Sequence, residues 1–367
     1  MSRTVLVAGA QGVIGRNAAT HFANQPDTQV LGLSRRTPLE AVGIQGISVN
    51  LLDPEEVRSQ LSSIVADVTH VVFAAYIERP NAKEKSEVNS ALLNHLMDVL
   101  EAHAPGLQHI TLYQGGKAYG ADLGPFKTPA REDDPRLMPP NFYYDQEDIL
   151  RQRQVGQSWQ FTILRPEAVC GYAVGNPMNL LMVIAVYASI SKQLGLPLRF
   201  PGPMAAYQAL YQLTSAEILA EATDWAGKTD AAWGEIFNIT NGDYFRWENL
   251  WPRIARMFEM EVAPPVPLSL AEYMADKGPV WEQIVEQYGL NATPYQELVN
   301  WEFGDFIFHS CFDNISSTIK ARRAGFHACI DTEEMFGNFF QRLGQAKVIP
   351  VSSVATSNGH FYGGTDQ

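Results

Sequence analysis

The chain has 367 residues, enough for one large α/β domain with a cap or for two domains, and it is 46% hydrophobic and 18% charged, a globular composition. A formal net charge of −13 repels a phosphate backbone or an anionic membrane surface, so neither nucleic acid nor membrane is an expected partner. Cys170, Cys311 and Cys329 are far apart and follow no metal or redox spacing, so they are expected as buried free thiols, and the eight histidines form no ligand cluster. No metal is expected.

Residues 1–4 run directly into an apolar strand without the charged leader and long apolar run of a signal peptide. A cytoplasmic location is the corresponding expectation. Residues 4–8 form a continuous apolar run, as a strand buried on both faces should. Residues 29–33, 46–49, 68–74, 109–113 and 161–164 repeat it, with helical patterns between, notably 89–102 and 146–156. This alternation predicts an α/β fold, a doubly wound parallel sheet with helices on both faces. His70 and His109 stand at strand starts and read as structural.

After Arg165 and Pro166 the pattern changes. An apolar helix begins near Met178, and Lys192 closes it well short of a membrane span. Residues 235–240 read as a strand returning to the sheet, and helices, prolines and aromatics dominate beyond Trp247. The expected organisation is a dinucleotide-binding domain over 1–171, a mostly helical substrate cap over 172–234 and 245–350, and a loose tail over 351–367.

Gly9, Ala10, Gln11, Gly12, Val13, Ile14 and Gly15 follow the first strand and open a helix. Glycines there let the backbone approach a pyrophosphate, whose charge meets the N–H groups of the helix start. The second strand ends in Ser34, Arg35 and Arg36, where an NAD enzyme carries an acid for the ribose hydroxyl. Two arginines instead offer forked donors to a 2′-phosphate, so NADP is the expected cofactor. Asn50, after the third strand, is a candidate adenine contact, and Leu51, Ala74, Ala75, Tyr76 and Val169 are expected to complete the cofactor site.

Asn141, Phe142, Tyr143 and Tyr144 stand where a short-chain dehydrogenase places its tyrosine, but the lysine four residues on is missing: Glu147 follows Tyr143 and Asp148 follows Tyr144. The loop Gln114–Gly115–Gly116–Lys117 has glycines in place of serines and a lysine of its own. Lys117 is therefore the candidate basic partner.

These residues resemble the progesterone 5-beta-reductase/iridoid synthase-like (PRISE) family of atypical extended short-chain dehydrogenases. The resemblance covers the chain from its start to about residue 350, through 9–15, Ser34 to Thr37, Gly116, Lys117 and Tyr119, Gly124 to Phe126, and 141–148. Arg165–Pro166, Met178 to Leu180, 237–243 and 301–305 extend it. It implies a Rossmann fold, Tyr143 and Lys117 as the catalytic pair with Tyr144 structural, and a substrate pocket containing Tyr76, Phe126, Met178 and Phe303. It also implies NADPH-dependent reduction of the activated C=C bond of enones or enals. Ala168 departs from an asparagine of plant members and Tyr76 from a pocket tryptophan, so no steroid or terpenoid preference carries over.

The expected function is thus 1,4-reduction of a small hydrophobic carbonyl substrate, with Tyr143 stabilising the enolate oxygen and Lys117 favouring the ionised phenol. Ketone or aldehyde reduction at the same site is the alternative. An epimerase or dehydratase fits the scaffold less well, and a non-catalytic NADP sensor is a reading from a different class. A homodimer is compatible with the chain.

Overall fold

Seven parallel strands form the central sheet: β1 (Arg3–Ala8), β2 (Thr28–Ser34), β3 (Ile44–Ser48), β4 (His70–Phe73), β5 (His109–Tyr113), β6 (Gln160–Pro166) and β7 (Ile236–Ile239). The computed structural model describes residues 3–35, 41–175 and 178–350; Arg36 and the expected tail 351–367 lie outside the described residues. The strand order is β7-β6-β5-β4-β1-β2-β3. β1 pairs with β2 on one side and β4 on the other, Leu6 opposite both Leu31 and Val71. The chain therefore changes winding direction at β1, which opens a crevice beyond the carboxyl ends of β1 and β4.

Helices cover both faces. On one side α1 (Val13–Ala23) buries Val13, Ala18, Ala19 and Phe22 against the sheet. On the other lie α2 (Pro54–Leu61), α3 (Ala82–His103) and α4 (Phe142–Gln154), whose buried residues join Leu6, Val71 and Ile110. α3 starts seven residues before the expected position, because Asn81 caps it through Glu84 N and its first turns are polar. α4 starts four residues early for the same kind of reason. Asn141 accepts from Tyr143 N at 3.1 Å, and Pro139 and Pro140 keep the preceding backbone out of the helix. Tyr143 and Tyr144 consequently occupy the first turn of α4.

The cap has its own core. The apolar helix α5 (Leu180–Gln193) is buried over nearly its whole length. Around it Phe200 meets Trp251 and Phe308 edge-on, at ring separations of 5.4 and 5.2 Å.

One expected boundary moves. α6 (Ala216–Lys228) falls inside the stretch 172–234 read as cap, yet it packs on the dinucleotide-binding sheet. Its face of Ile218, Leu219, Ala222 and Ala226 shares a core with Val5, Val7 and Phe22, and the alanines allow close approach to α1. Asp224 pairs with Arg3, and Tyr113 hydrogen-bonds Thr223 at 2.6 Å. The segment Ile319–Arg323 likewise lies against β7 rather than in the cap.

His70 and His109 are buried strand residues bonded to Thr69 and Thr162, and burial pushes them down to about 4 and about 3. Of the cysteines only Cys170 is buried; Cys311 and Cys329 are exposed, contrary to expectation, because both sit in irregular segments at the surface. Among the described residues no helix is long and apolar enough to cross a membrane, and no cluster of His, Cys, Asp or Glu is arranged to hold a metal.

Candidate active site

A cavity of about 1220 Å³ lies over the carboxyl ends of the strands and extends beneath the cap. It exceeds the usual volume of a single small-ligand pocket, leaving room for a cofactor and a substrate together.

Gly9, Gln11, Gly12, Val13 and Ile14 line one part of it. Gly9 has φ +82°, and a Cβ there would come within 2.6 Å of the Ala74 carbonyl. A Cβ at Gly15 would lie 2.2 Å from the Gly9 carbonyl. Glycine is required at both positions by contact with backbone. α1 has no side-chain cap, so the N–H groups of its first turn are left for a ligand. Ser34, Arg35, Leu51, Ala74, Ala75 and Val169 also line the cavity, and the group as a whole fits a dinucleotide. Asn50 does not line it. Its side chain closes a turn by accepting from Leu52 N at 3.2 Å, and its backbone donates to Glu56.

Tyr143 and Lys117 both line the other part of the cavity. Asn141 positions both: its Oδ1 caps α4 at Tyr143, and its Nδ2 donates to the Lys117 carbonyl at 3.0 Å. Gln114 adds a second tie, donating to the Tyr143 carbonyl at 2.7 Å and accepting from Arg165 at 2.7 Å. The Tyr143 hydroxyl stands where a side chain at residue 115 would begin, 3.3 Å from an ideal Cβ on Gly115. The same Cβ would lie 3.3 Å from the Pro166 carbonyl, so glycine at 115 is what lets the loop pass this close to the phenol.

Burial pushes the Tyr143 phenol up, with further lifts from Asp122, Glu78 and Glu167. The expectation that Lys117 favours an ionised phenol does not describe this site: the cation that opposes burial and the three carboxylates is Arg165, and the raised phenol is a neutral donor. Lys117 is pushed down, first by burial and then by Lys85, against the opposing pull of Glu78 and Asp122. Its ammonium faces the Phe306 ring, 5.8 Å from the centroid.

Glu147, at the usual lysine position, does not line the cavity. It is buried among Arg151, Arg136 and Arg165, at 2.9, 3.2 and 3.7 Å. Tyr144 is also structural in its contacts, donating to the Ala118 carbonyl at 2.9 Å and accepting from Leu137 N at 3.1 Å.

Tyr76, Met178 and Phe303 all line the cavity, brought together from distant segments by the cap. Phe126 stands behind the wall, edge-on to Phe312, which takes the lining position. The sequence reading passed over Phe306, Phe312, Tyr211, Glu167 and Asn314. Phe306 follows Phe303 by three residues on one helix, a legible signal of a shared face. Phe312 and Asn314 come from an irregular segment that offers no periodicity.

A family model described as a PRISE-like Rossmann-fold domain matches residues 45–350. The chain belongs to this family. It is 32% identical to an (S)-8-oxocitronellyl enol synthase of Nepeta racemosa, over 94% of this chain and 92% of that one. It is 32% identical to a 3-oxo-Delta(4,5)-steroid 5-beta-reductase of Arabidopsis thaliana, again over 94% and 92%. A short-chain dehydrogenase of Penicillium aethiopicum is 30% identical over 95% of this chain and all of its own length, 100%. Among solved structures, an epimerase from Methanothermobacter thermautotrophicus aligns with TM-score 0.66 at 16% identity, over 94% of each chain, a likeness of fold alone. This PRISE-family protein is an NAD(P)-dependent oxidoreductase of the short-chain dehydrogenase superfamily, acting on small organic substrates.

Proposed function

We propose that the protein is an NADPH-dependent reductase of α,β-unsaturated carbonyl compounds. The carrying observation is a neutral, half-buried Tyr143 hydroxyl that lines the cavity against Gly115, with Lys117 lining the same cavity. NADPH, when bound, supplies a hydride. Addition at the β-carbon moves charge to the carbonyl oxygen, where the Tyr143 O–H donates a hydrogen bond to the developing enolate, and a solvent proton taken at the α-carbon then gives the saturated product. Lys117 adds positive potential beside the developing charge. Tyr76, Met178, Phe303 and Phe306 hold the hydrophobic part of the substrate. The names of two relatives support the reading: one is a reductase of a 3-oxo-Delta(4,5)-steroid, the other an enol synthase.

The test is product analysis after incubation with NADPH and a panel of cyclic enones and enals. Saturated ketones or aldehydes are expected; allylic alcohols as the sole products would overturn the reading in favour of carbonyl reduction.

The cofactor preference rests on Arg35 at the cavity edge, with Arg36 beside it in sequence. Charge-assisted bonds to a 2′-phosphate contribute about 1.5–3 kcal/mol, so NADPH should be favoured over NADH by at least about tenfold. Changing both arginines to alanine should remove most of that ratio, and a wild-type protein that prefers NADH would refute the assignment.

A further inference from the structure

One carboxyl on the cavity wall has no part in the scheme above. Glu167 follows Pro166 at the end of β6, lines the cavity and is 5% exposed. Its Oε1 accepts from Ser316 Oγ at 2.5 Å, and the Asn314 side chain lies beside the same carboxyl. Its Oε2 stands beside the catalytic turn, 3.4 Å from where a Cβ on Gly116 would lie. Among the described residues no lysine or arginine pairs with it.

Tyr211 and Asn314 line the same cavity at 3% and 7% exposure and lie side by side across a backbone bridge. The Asn314 Oδ1 is buried without a partner. A buried carboxyl without a cation costs several kcal/mol of desolvation, and an unpaired amide oxygen adds to it. Stability alone would be served better by an apolar side chain at this strand end, between Leu164 and Val169. The polar capacity gathered here calls for a ligand group.

We propose that Glu167, Tyr211 and Asn314 form a polar subsite that recognises a hydroxyl on the substrate. The preferred substrate is then a hydroxylated enone or enal rather than a hydrocarbon-like one. The proposal rests on the reductase reading of the same cavity. A hydroxyl both donates and accepts, so it satisfies a carboxyl in either protonation state. A second carbonyl can only accept. An ammonium needs an ionised carboxylate, which burial opposes, and it would share the cavity with Lys117.

The experiment uses the full chain and a set of cyclic enones, each paired with its hydroxy and amino derivatives. Binding to the NADP⁺-loaded protein is measured by calorimetry, and turnover with NADPH is followed separately. At least one hydroxy compound should bind ten- to a hundred-fold more tightly than its parent, about the penalty for leaving a buried polar group unpaired. That ratio should fall close to one in Glu167→Leu and be partly kept in Glu167→Gln. If Glu167→Leu does not fold, Tyr211→Phe and Glu167→Gln carry the comparison, each with a reduced ratio. Ratios near one throughout the wild-type set, a ratio unchanged in the variants, or preference for the amino derivatives would each overturn the subsite. Hydroxyl-dependent binding without reduction of any enone sinks the reductase reading and leaves the subsite standing. Reduction without hydroxyl preference does the reverse.

Discussion

Tyr143→Phe should lower enone turnover by up to about 10²–10³, the cost of removing one donor to a developing oxyanion, while NADPH affinity stays close to wild type. The ring contacts Phe142, at a centroid separation of 4.2 Å, and the backbone ties to Asn141 and Gln114 survive the substitution. Only the hydroxyl in front of Gly115 is lost. Lys117→Ala should also reduce turnover, through loss of positive potential rather than of a contact. Because burial and Lys85 lower the Lys117 pKa, its charge disappears as pH rises through a value below the ordinary lysine range. The wild-type rate should therefore fall on the alkaline side, and that fall should be missing in Lys117→Ala. Tyr144→Phe is the control. It strips partners from the Ala118 carbonyl and Leu137 N–H, so it should cost about 1–3 kcal/mol of stability and leave catalysis largely intact. Steady-state kinetics with one enone, alongside cofactor titration, decide the matter. An active Tyr143→Phe beside a dead Tyr144→Phe would show that the wrong tyrosine has been assigned.

What was legible in the sequence follows from how local each cause is. The strands of the parallel sheet show as unbroken apolar runs because both of their faces are covered, and the glycine loop is demanded in part locally, Gly15 by the Gly9 carbonyl, although Gly9 itself is demanded by the distant Ala74. The early start of α4 was hidden because capping by Asn141 overrides the weak apolar pattern of its first turn. α6 was placed in the cap because nothing in its sequence says which core its alanine face meets; only α1, 200 residues away in the chain, decides that. The direction of the Tyr143 shift was equally out of reach, since Asp122, Glu78 and Glu167 come from three separate segments. Phe126 and Phe312 show the same limit, two aromatic rings in contact of which only one reaches the cavity.

Glu147→Lys places a lysine at the position a conventional short-chain dehydrogenase would use, and it should damage the protein rather than restore that chemistry. The Glu147 carboxylate is buried, with 7% side-chain exposure, and so is the Arg165 guanidinium at 5%. The pairs with Arg136 and Arg151 are about two-fifths exposed on the arginine side, and solvent screening limits each to about 0–1 kcal/mol. Arg165 is the decisive partner. Its Nη2 lies 3.7 Å from Oε2, which has no hydrogen-bond partner, so the attraction is one of charge across a gap. Removing the acid leaves the Arg165 side chain with Gln114, the Tyr119 ring and the more distant charge of Glu132, and a lysine adds a like charge facing three arginines. Breaking a buried pair from one side costs about 3–5 kcal/mol, a large share of a typical folding free energy. Arg165 also holds Gln114, which donates to the Tyr143 carbonyl, so any Glu147→Lys protein that folds should lose turnover as the start of α4 loosens. Glu147→Gln keeps the shape and adds no cation, so it should cost less. Denaturant unfolding of the three proteins measures the difference. Wild-type stability in Glu147→Lys, or a gain in ketone reduction, would mean that Glu147 replaces a catalytic lysine in function and not only in position.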